Sequence, residues 1–378
     1  MSAHTLIVDR IRERGPLTLA EFMALALYHP QHGYYARASR RTGRQGDFIT
    51  SVDVGPMFGR LLSRQFAEMW RALRAVDPAV DGFDLVEAAA ANGQLARDVL
   101  DAAQSDDPEF YAALRVHLVE SSPVARAEHV AMLAPHAARL TSSSARLPKS
   151  VHGVVFANEL LDALPVHAVT MTADGLRERY IDTQDNRFVE RLGPPSTPAL
   201  ARHLESIGAQ PPVGWRGEVN LSAIAWLTRV RASMHRGFLL LIDYGRPAAE
   251  LYSAAHASGT LTTYAGHVSD VHQAGATPPW LEGVGDRDIT SLVDLTTIRA
   301  VAESLGCHTL GVVDQTYFLL GLTGDEHGGT SVADLKARMA LKTLVMPGGL
   351  GSTMKVMVFG VGVRQPVLRG LAGPTRLT

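Results

Sequence analysis

The chain has 378 residues, 46% hydrophobic and 20% charged, which is enough for one large or two modest folded domains. Because its formal net charge is −2, the chain as a whole has no electrostatic attraction to nucleic acid or to an anionic membrane. Only one cysteine is present, no apolar run reaches about 18 residues, and the amino terminus lacks the apolar core of a secretion signal, so a cytoplasmic protein without disulfides or membrane insertion is expected.

Residues 1–80 are expected to form an N-terminal helical segment. Thr18 and Glu21 have the spacing of a capping box, which predicts a helix starting there. A second helix is predicted to start at Pro56, because apolar residues follow it at helical spacing. Between them, residues 33–56 are rich in glycine and arginine, and a loop of this length tends to be functional.

Residues 84–120 predict a strand, a tight turn, a helix and a second strand. The first strand ends at Glu87 and the second at Glu120, one helix and one strand beyond Gly93. In an open α/β sheet, ligands bind outside the carboxyl ends of the strands and approach backbone N–H groups of the first turn. A carboxylate ending the next strand can accept hydrogen bonds from a ribose diol. The pattern indicates a nucleoside-binding half-site.

The turn itself, residues 88–93, contains a single glycine. Close backbone approach to a ligand normally uses glycine, which reaches positive φ freely. Ala89 and Ala91 occupy positions where glycine is expected. Taken alone, the turn fits a ligand site and a plain strand-to-helix corner about equally. It does not fit the three-glycine fingerprint of a dinucleotide-dependent oxidoreductase.

A buried strand predicted over residues 152–156 runs into three polar residues, Asn158, Glu159 and Asp162. A doubly wound fold places its chemistry at such a strand end. The alternative is that Asn158 caps a helix whose first turn is solvated.

The remaining residues predict an insertion and a second half of the sheet. The insertion, 166–236, is expected to contain a hairpin, an exposed proline-rich connector over 194–212 and a helix over 222–235 that stops at Gly237. A very hydrophobic strand follows, and then a glycine-, histidine- and proline-rich stretch, 246–290, expected to be a lid loop. Its His267 and His272 lack a carboxylate pair at ligand spacing, so no metal site is predicted.

These elements together predict an α/β doubly wound sheet. We expect the N-terminal segment over 1–80, the first half of a ligand-binding core over 81–165, an inserted α+β subdomain over 166–236, and the second half of the core over 237–378.

Eight segments, in order and spanning nearly the whole chain, resemble one family. They are LALYHPQHGYY (25–35), GDFITSVDVGPMFG (46–59), HLVESSP (117–123), FANELLDALP (156–165), LIDYG (241–245), GTLTTY (259–264), DITSLVD (288–294) and PGGLGSTMKV (347–356). The family is the MidA-like proteins, also known as the mitochondrial complex I assembly factor family of S-adenosylmethionine-dependent methyltransferases.

The resemblance implies a Rossmann-like class I methyltransferase sheet and S-adenosylmethionine as cofactor. It matches residues 87–93 to the family's cofactor loop, assigns Glu120 to the ribose, and places Gly46 and Asp47 in a loop that closes over the cofactor. The candidate cofactor-binding residues are therefore Gly46, Glu87, Ala89, Ala91, Gly93, Glu120 and Asn158.

The resemblance also implies a protein arginine as methyl acceptor, with a respiratory complex subunit as a candidate partner, and a homodimer is a further expectation. Methyl transfer mainly requires positioning, and a guanidinium pairs well with carboxylates. The candidate catalytic residues are Glu159, Asp162 and Asp47.

The sequence departs from the family at two places. Ala89 and Ala91 replace loop glycines, so a Cβ at each is expected to crowd the cofactor or to force another backbone path. Leu292 and Leu295 replace a histidine and an aromatic residue. These departures favour an alternative function, a binding or assembly factor that has kept the fold and lost catalysis.

Overall fold

A computed structural model describes residues 2–36, 50–79, 81–265, 268–271, 277–324, 332–346 and 350–373. The helices are α1 Ala3–Arg14, α2 Leu19–Tyr28, α3 Met57–Val76, α4 Gln94–Asp106, α5 Pro108–Ala113, α6 Pro123–Met132, α7 Ala199–Ser206, α8 Leu221–Ser233, α9 Ala248–Leu251, α10 Leu295–Ser304, α11 Gln315–Leu322, α12 Val332–Val345 and α13 Leu350–Thr353. The strands are β1 Leu17–Thr18, β2 Phe83–Ala88, β3 Leu114–Val119, β4 Leu140–Ser144, β5 Val151–Asn158, β6 His167–Thr172, β7 Gly175–Gln184, β8 Arg187–Gly193, β9 Arg216–Val219, β10 Met234–Arg246, β11 Thr262–Ala265, β12 Val268–Val271, β13 Asp288–Thr290, β14 Val293–Asp294, β15 His308–Asp314 and β16 Met354–Val361.

The central sheet has the strand order β15-β16-β10-β5-β2-β3-β4. Strands β10, β5, β2, β3 and β4 are parallel, and β16 runs antiparallel between β10 and β15. One apolar cluster joins one face of the sheet to α3, α4 and α11, and a second joins the other face to α8 and α10. Helices on both faces of a mainly parallel sheet make this the doubly wound α/β fold that the sequence predicts.

A second layer lies beside the carboxyl ends of the core strands. Strands β1, β7, β6, β9 and β8 form an antiparallel sheet, and β12, β11 and β13 form a small one. A third apolar cluster packs α1 and α2 against β6, β7 and residues 280–289. The predicted capping box starts α2, since the Thr18 N–H donates to Glu21 Oε2 (2.9 Å) and the Glu21 N–H donates to Thr18 Oγ1 (3.2 Å).

Two stretches predicted to be irregular are largely structured. The proline-rich stretch 194–212 contains α7, because Leu200 and Leu204 lie one helical turn apart and are buried in a cluster with Trp215. The described part of 246–290 contains α9 and strands β11 to β13, so it is not a simple loop. His267 and His272 lie outside the described residues. Within the described ranges, no helix is long and apolar enough to cross a bilayer.

Gly237 does not stop a helix, as the sequence suggested, but lies inside β10. Helix α8 ends at Ser233 and the strand begins at the next residue. The φ of Gly237 is 141°, and a Cβ there would lie 1.8 Å from the carbonyl oxygen of Gly153 in β5. Glycine is therefore required by the close approach of two neighbouring strands.

Three residues of the turn between β2 and α4 have a positive φ, the conformation for which the sequence pattern predicts glycine. The φ angles are 58° at Ala89, 43° at Ala91 and 87° at Gly93. For a residue with a Cβ, this left-handed region costs about 1–2 kcal/mol. Two of the three positive-φ positions in this turn thus carry strain that glycine would avoid.

We predict that Ala89→Gly and Ala91→Gly each stabilise the protein by about 0.5–1 kcal/mol, because relief of left-handed strain exceeds the added entropy of the unfolded chain. Ala90 lies between them, is buried, and has no positive φ. Ala90→Gly is therefore the matched control and should destabilise by about 1 kcal/mol. Urea unfolding of the three variants measures these changes. Equal destabilisation by all three substitutions would contradict the strain argument.

Candidate active site

A cavity of ≈ 680 Å³ opens at the carboxyl ends of β2, β3 and β5. Its volume lies within the roughly 300–1,000 Å³ of small-molecule sites. Its walls are the turns that follow these strands, the helical turn Val52–Val54, and side chains of α2 and α8. The cavity therefore lies where a doubly wound sheet binds ligands.

Glu87, at the end of β2, places a buried carboxyl in this cavity. It is 5% exposed, and its Oε2 has no hydrogen-bond partner among the described residues. Burial, reinforced by the nearby carboxyls of Asp98 and Glu120, raises the pKa of Glu87 well above its ordinary value. A cationic or hydrogen-bond-donating ligand would satisfy this oxygen.

Glu120 follows β3 and links two turns. Its carboxylate accepts hydrogen bonds from the backbone N–H groups of Ala91 (3.0 Å) and Ser122 (2.7 Å). The carbonyl of Ala91 in turn lies 2.7 Å from Nε2 of the buried His129, which donates to it. Hydrogen bonds at both its N–H and its carbonyl hold Ala91 in the left-handed conformation. Carboxylate oxygens have two lone pairs each, so Glu120 can still accept from a ribose hydroxyl.

Asn158 and Glu159 stand at the end of β5. Glu159 has a φ of 53°, and its N–H donates to the carbonyl of Ile242 on β10 (2.9 Å). Asn158 Nδ2 donates to Glu159 Oε1 (3.0 Å), and Asn158 Oδ1 is buried with no partner in the described part of the chain. Burial, with repulsion from Asp243, raises the pKa of Glu159 to about 8. Residues 159–166 form no helix, so the alternative that Asn158 caps one is wrong.

Asp162 lies behind this wall and does not border the cavity. It is buried near Asp243, whose Oδ2 accepts from the N–H of Leu161 (2.7 Å). Burial raises the pKa of Asp243 to about 7, and burial together with Asp243 raises the pKa of Asp162 well above its ordinary value. Over the described residues, no group of three His, Cys, Asp or Glu side chains could hold a metal ion.

The structure brings most of the predicted site residues together. Those that line the one cavity are Glu87, Ala89, Ala91, Glu120, Asn158 and Glu159. Gly93 is the N-cap of α4 and packs against Leu118, so a Cβ there would be crowded. Gly46 and Asp47 lie outside the described residues. The individual roles of these residues stay predictions.

Sequence reasoning missed two tyrosines and an aspartate in this wall. Tyr28 and Tyr35 line the cavity; the Tyr28 hydroxyl donates to the carbonyl of Ala163 (2.8 Å), and the Tyr35 hydroxyl donates to Asp288 (2.8 Å). Asp53 also lines it. All three lie in segments that carry the family resemblance, which is the signal that could have identified them.

The residues present suit S-adenosylmethionine. Its sulfonium and ammonium groups are cationic, and its ribose diol donates hydrogen bonds. Over the described ranges, the cavity offers two buried oxygens that lack a partner, Glu87 Oε2 and Asn158 Oδ1, together with the carboxyls of Glu120 and Glu159. When bound, the cofactor supplies an electrophilic methyl group on a sulfonium.

Solved structures of known proteins match nearly the whole chain. A Burkholderia thailandensis protein bound to S-adenosyl-homocysteine has a TM-score of 0.86 and 27% identity, over 99% of this chain and 95% of that chain. A native structure of a Burkholderia thailandensis protein gives a TM-score of 0.84 and 28% identity over the same shares. These matches confirm the methyltransferase fold and the predicted cofactor.

Curated relatives agree on the reaction class and overturn one prediction. "Protein arginine methyltransferase NDUFAF7 homolog, mitochondrial" of Drosophila melanogaster is 28% identical over 96% of this chain and 86% of the relative. The mouse "Protein arginine methyltransferase NDUFAF7, mitochondrial" is 29% identical over 83% of this chain and 72% of the relative. Both names place the relatives in mitochondria, so the cytoplasmic location predicted from the amino terminus is contradicted.

A family model covers most of the chain as well. The model described as "Putative S-adenosyl-L-methionine-dependent methyltransferase" matches residues 61–313, which include the cavity turns after β2, β3 and β5. The chain belongs to this family of S-adenosyl-L-methionine-dependent methyltransferases.

Proposed function

We propose that this chain transfers a methyl group from S-adenosylmethionine to an arginine side chain of a protein substrate. The observation that carries the proposal is the carboxyl of Glu159, held in the cavity wall by a left-handed backbone and by Asn158. A guanidinium pairs with a carboxylate through its planar fork. The names of the curated relatives support the same acceptor.

The residues of the cavity would act mainly by holding the cofactor and the acceptor arginine in the geometry that methyl transfer requires. Glu120 is suited to hold the ribose, and Glu87 with Asn158 to receive a cationic group of the cofactor. Glu159, once ionised, would accept N–H bonds from the guanidinium and fix the attacking nitrogen in line with the methyl group. It could then take up the proton that this nitrogen loses. Asp162 would act through Glu159 and Asp243, since it does not border the cavity.

The predicted alternative, a binding or assembly factor without catalysis, retains two supporting observations. Ala89 and Ala91 place Cβ atoms at positive φ in the cofactor turn. Leu292 packs with an apolar cluster in place of the family's histidine. That the acceptor belongs to a respiratory complex, and that the chain forms a homodimer, are further predictions from the family resemblance.

We predict that Glu159→Gln lowers kcat for methylation of an arginine peptide by about 100- to 1,000-fold, because an amide cannot balance the guanidinium charge. Affinity for S-adenosyl-homocysteine, which carries no sulfonium charge, should change by less than about threefold, since the contacts of Glu87 and Glu120 remain. Transfer of a radiolabelled methyl group and calorimetric titration measure the two quantities. Glu13→Gln, on the exposed face of α1, is the matched control. Unchanged kcat in Glu159→Gln would contradict the assigned role.

We predict a second signature in the pH dependence. Glu159 has a raised pKa of about 8, so it is protonated at neutral pH and ionises as the pH rises through that value. The ratio kcat/KM for the peptide, measured with S-adenosylmethionine far below saturation, should therefore increase from pH 6 to pH 9 and level off, because it then reports the free enzyme. A profile that falls over this range, or one that Glu159→Gln shares, would contradict the assignment.

The free energy of unfolding should fall over the pH range in which kcat/KM rises. A carboxyl whose folded pKa is raised contributes stability below its unfolded pKa, near 4.5, and that stability is lost as the pH rises through about 8. Wild type should therefore lose stability relative to Glu159→Gln between these pH values, as measured by urea unfolding across the range. A constant difference between the two proteins would show that Glu159 is ionised throughout.

A further inference from the structure

A second cavity, of ≈ 860 Å³, lies between α3, α4 and α12. We call it the α12 groove. Residues central to it are Met57, Arg60, Asp98, Asp101, Asp106 and Met339. Its volume alone does not distinguish a small ligand from a peptide, so the charge and the apolar residues of its wall decide between them.

The α12 groove borders the cofactor cavity. Asp53, in the helical turn Val52–Val54, lines both. A second link runs through Gln94, which lines the cofactor cavity and donates from Nε2 to Asp98 Oδ1 in the groove (2.7 Å). The groove and the cavity are therefore neighbours at Asp53 and at the Gln94–Asp98 pair.

The groove is acidic although the whole chain is nearly neutral. Four aspartates line it, against Arg60 and Lys336. Arg60 is already paired with Asp106 (2.8 Å), the buried His136 contacts Asp101 (2.8 Å), and Arg97 lies 3.7 Å from the same Asp101 carboxylate. Asp98 is 7% exposed, and burial raises its pKa to about 6, so a cation in the groove would stabilise its ionised form.

The apolar part of the wall suits a polypeptide. Met57 and Met339 face the groove, and methionine side chains adapt to irregular partners. Met339 is 63% exposed although it belongs to a regular helix. Leu335, one helical turn before Met339 on α12, is exposed as well, and neighbouring exposed apolar side chains mark a contact surface.

We propose that the α12 groove binds the basic segment of the protein substrate that carries the target arginine. Electrostatic complementarity would orient this segment, and the target arginine would pass Asp53 into the cofactor cavity. This inference rests on the proposed function and specifies how the acceptor arginine reaches the cofactor cavity.

The test uses the full chain saturated with S-adenosyl-homocysteine and a fluorescein-labelled nine-residue peptide of alternating glycine and arginine. Fluorescence anisotropy gives its dissociation constant. Met339→Lys should weaken binding by about fivefold, because it adds a like charge at the rim. Met339→Glu should bind at least as tightly as wild type. Val130→Lys, at an equally exposed apolar position on α6, is the matched control and should leave binding unchanged.

The outcomes separate this inference from the proposed function. If Met339→Lys and Met339→Glu bind the peptide like wild type, the groove is not the path, even when methyl transfer is observed. Equal binding of a glycine–glutamate peptide would also overturn the inference, because binding to the α12 groove would then not depend on the charge of the peptide. Failure of S-adenosyl-homocysteine to bind would instead defeat the proposed function. Weaker peptide binding at higher salt, with Met339→Lys alone impaired, is the supporting result.

Discussion

The burial of carboxyl groups at the ends of β2 and β5 is the constraint on which the rest of this site depends. Glu87 and Glu159 lie in a cavity wall where burial raises their pKa values. Asp162 and Asp243 form a second buried pair immediately behind. A protein keeps such groups at a cost in stability, which a bound cation relieves. A sulfonium cofactor and a guanidinium acceptor both bring that positive charge, so the electrostatics of the cavity favour this chemistry.

Backbone strain occurs at the same place. Ala89, Ala91 and Glu159 all have positive φ, and all line the cofactor cavity. Their surroundings hold them there: Glu120 and His129 bond to Ala91, and Ile242 bonds to Glu159. Strain of about 1–3 kcal/mol per residue persists only where neighbouring structure fixes the backbone. The two alanines thus adopt the positive φ for which the sequence pattern predicts glycine, and each places a Cβ atom in the turn.

Much of the core was predictable because its signals are local. The unit from β2 to β3 follows from hydrophobic spacing and from carboxylates at both strand ends, and the grouping of Glu87, Glu120 and Glu159 follows from strand topology. Helix α7 was missed because its two buried leucines gain their stability from distant Trp215. The contact of Tyr35 with Asp288 spans 253 residues, and no local pattern encodes it. Gly237 was misassigned because its need for glycine comes from a neighbouring strand.

Calorimetric titration with S-adenosylmethionine and S-adenosyl-homocysteine at pH 7, in buffers of different ionisation enthalpy, tests the central claim most directly. The account predicts dissociation constants in the micromolar range. It also predicts that S-adenosylmethionine releases more protons on binding, because its sulfonium charge favours ionised Glu87 and Glu159. Equal proton release by the two ligands would contradict the electrostatic account. Absence of binding by the native chain, with recovery in Ala89→Gly/Ala91→Gly, would show instead that the turn has disabled the site.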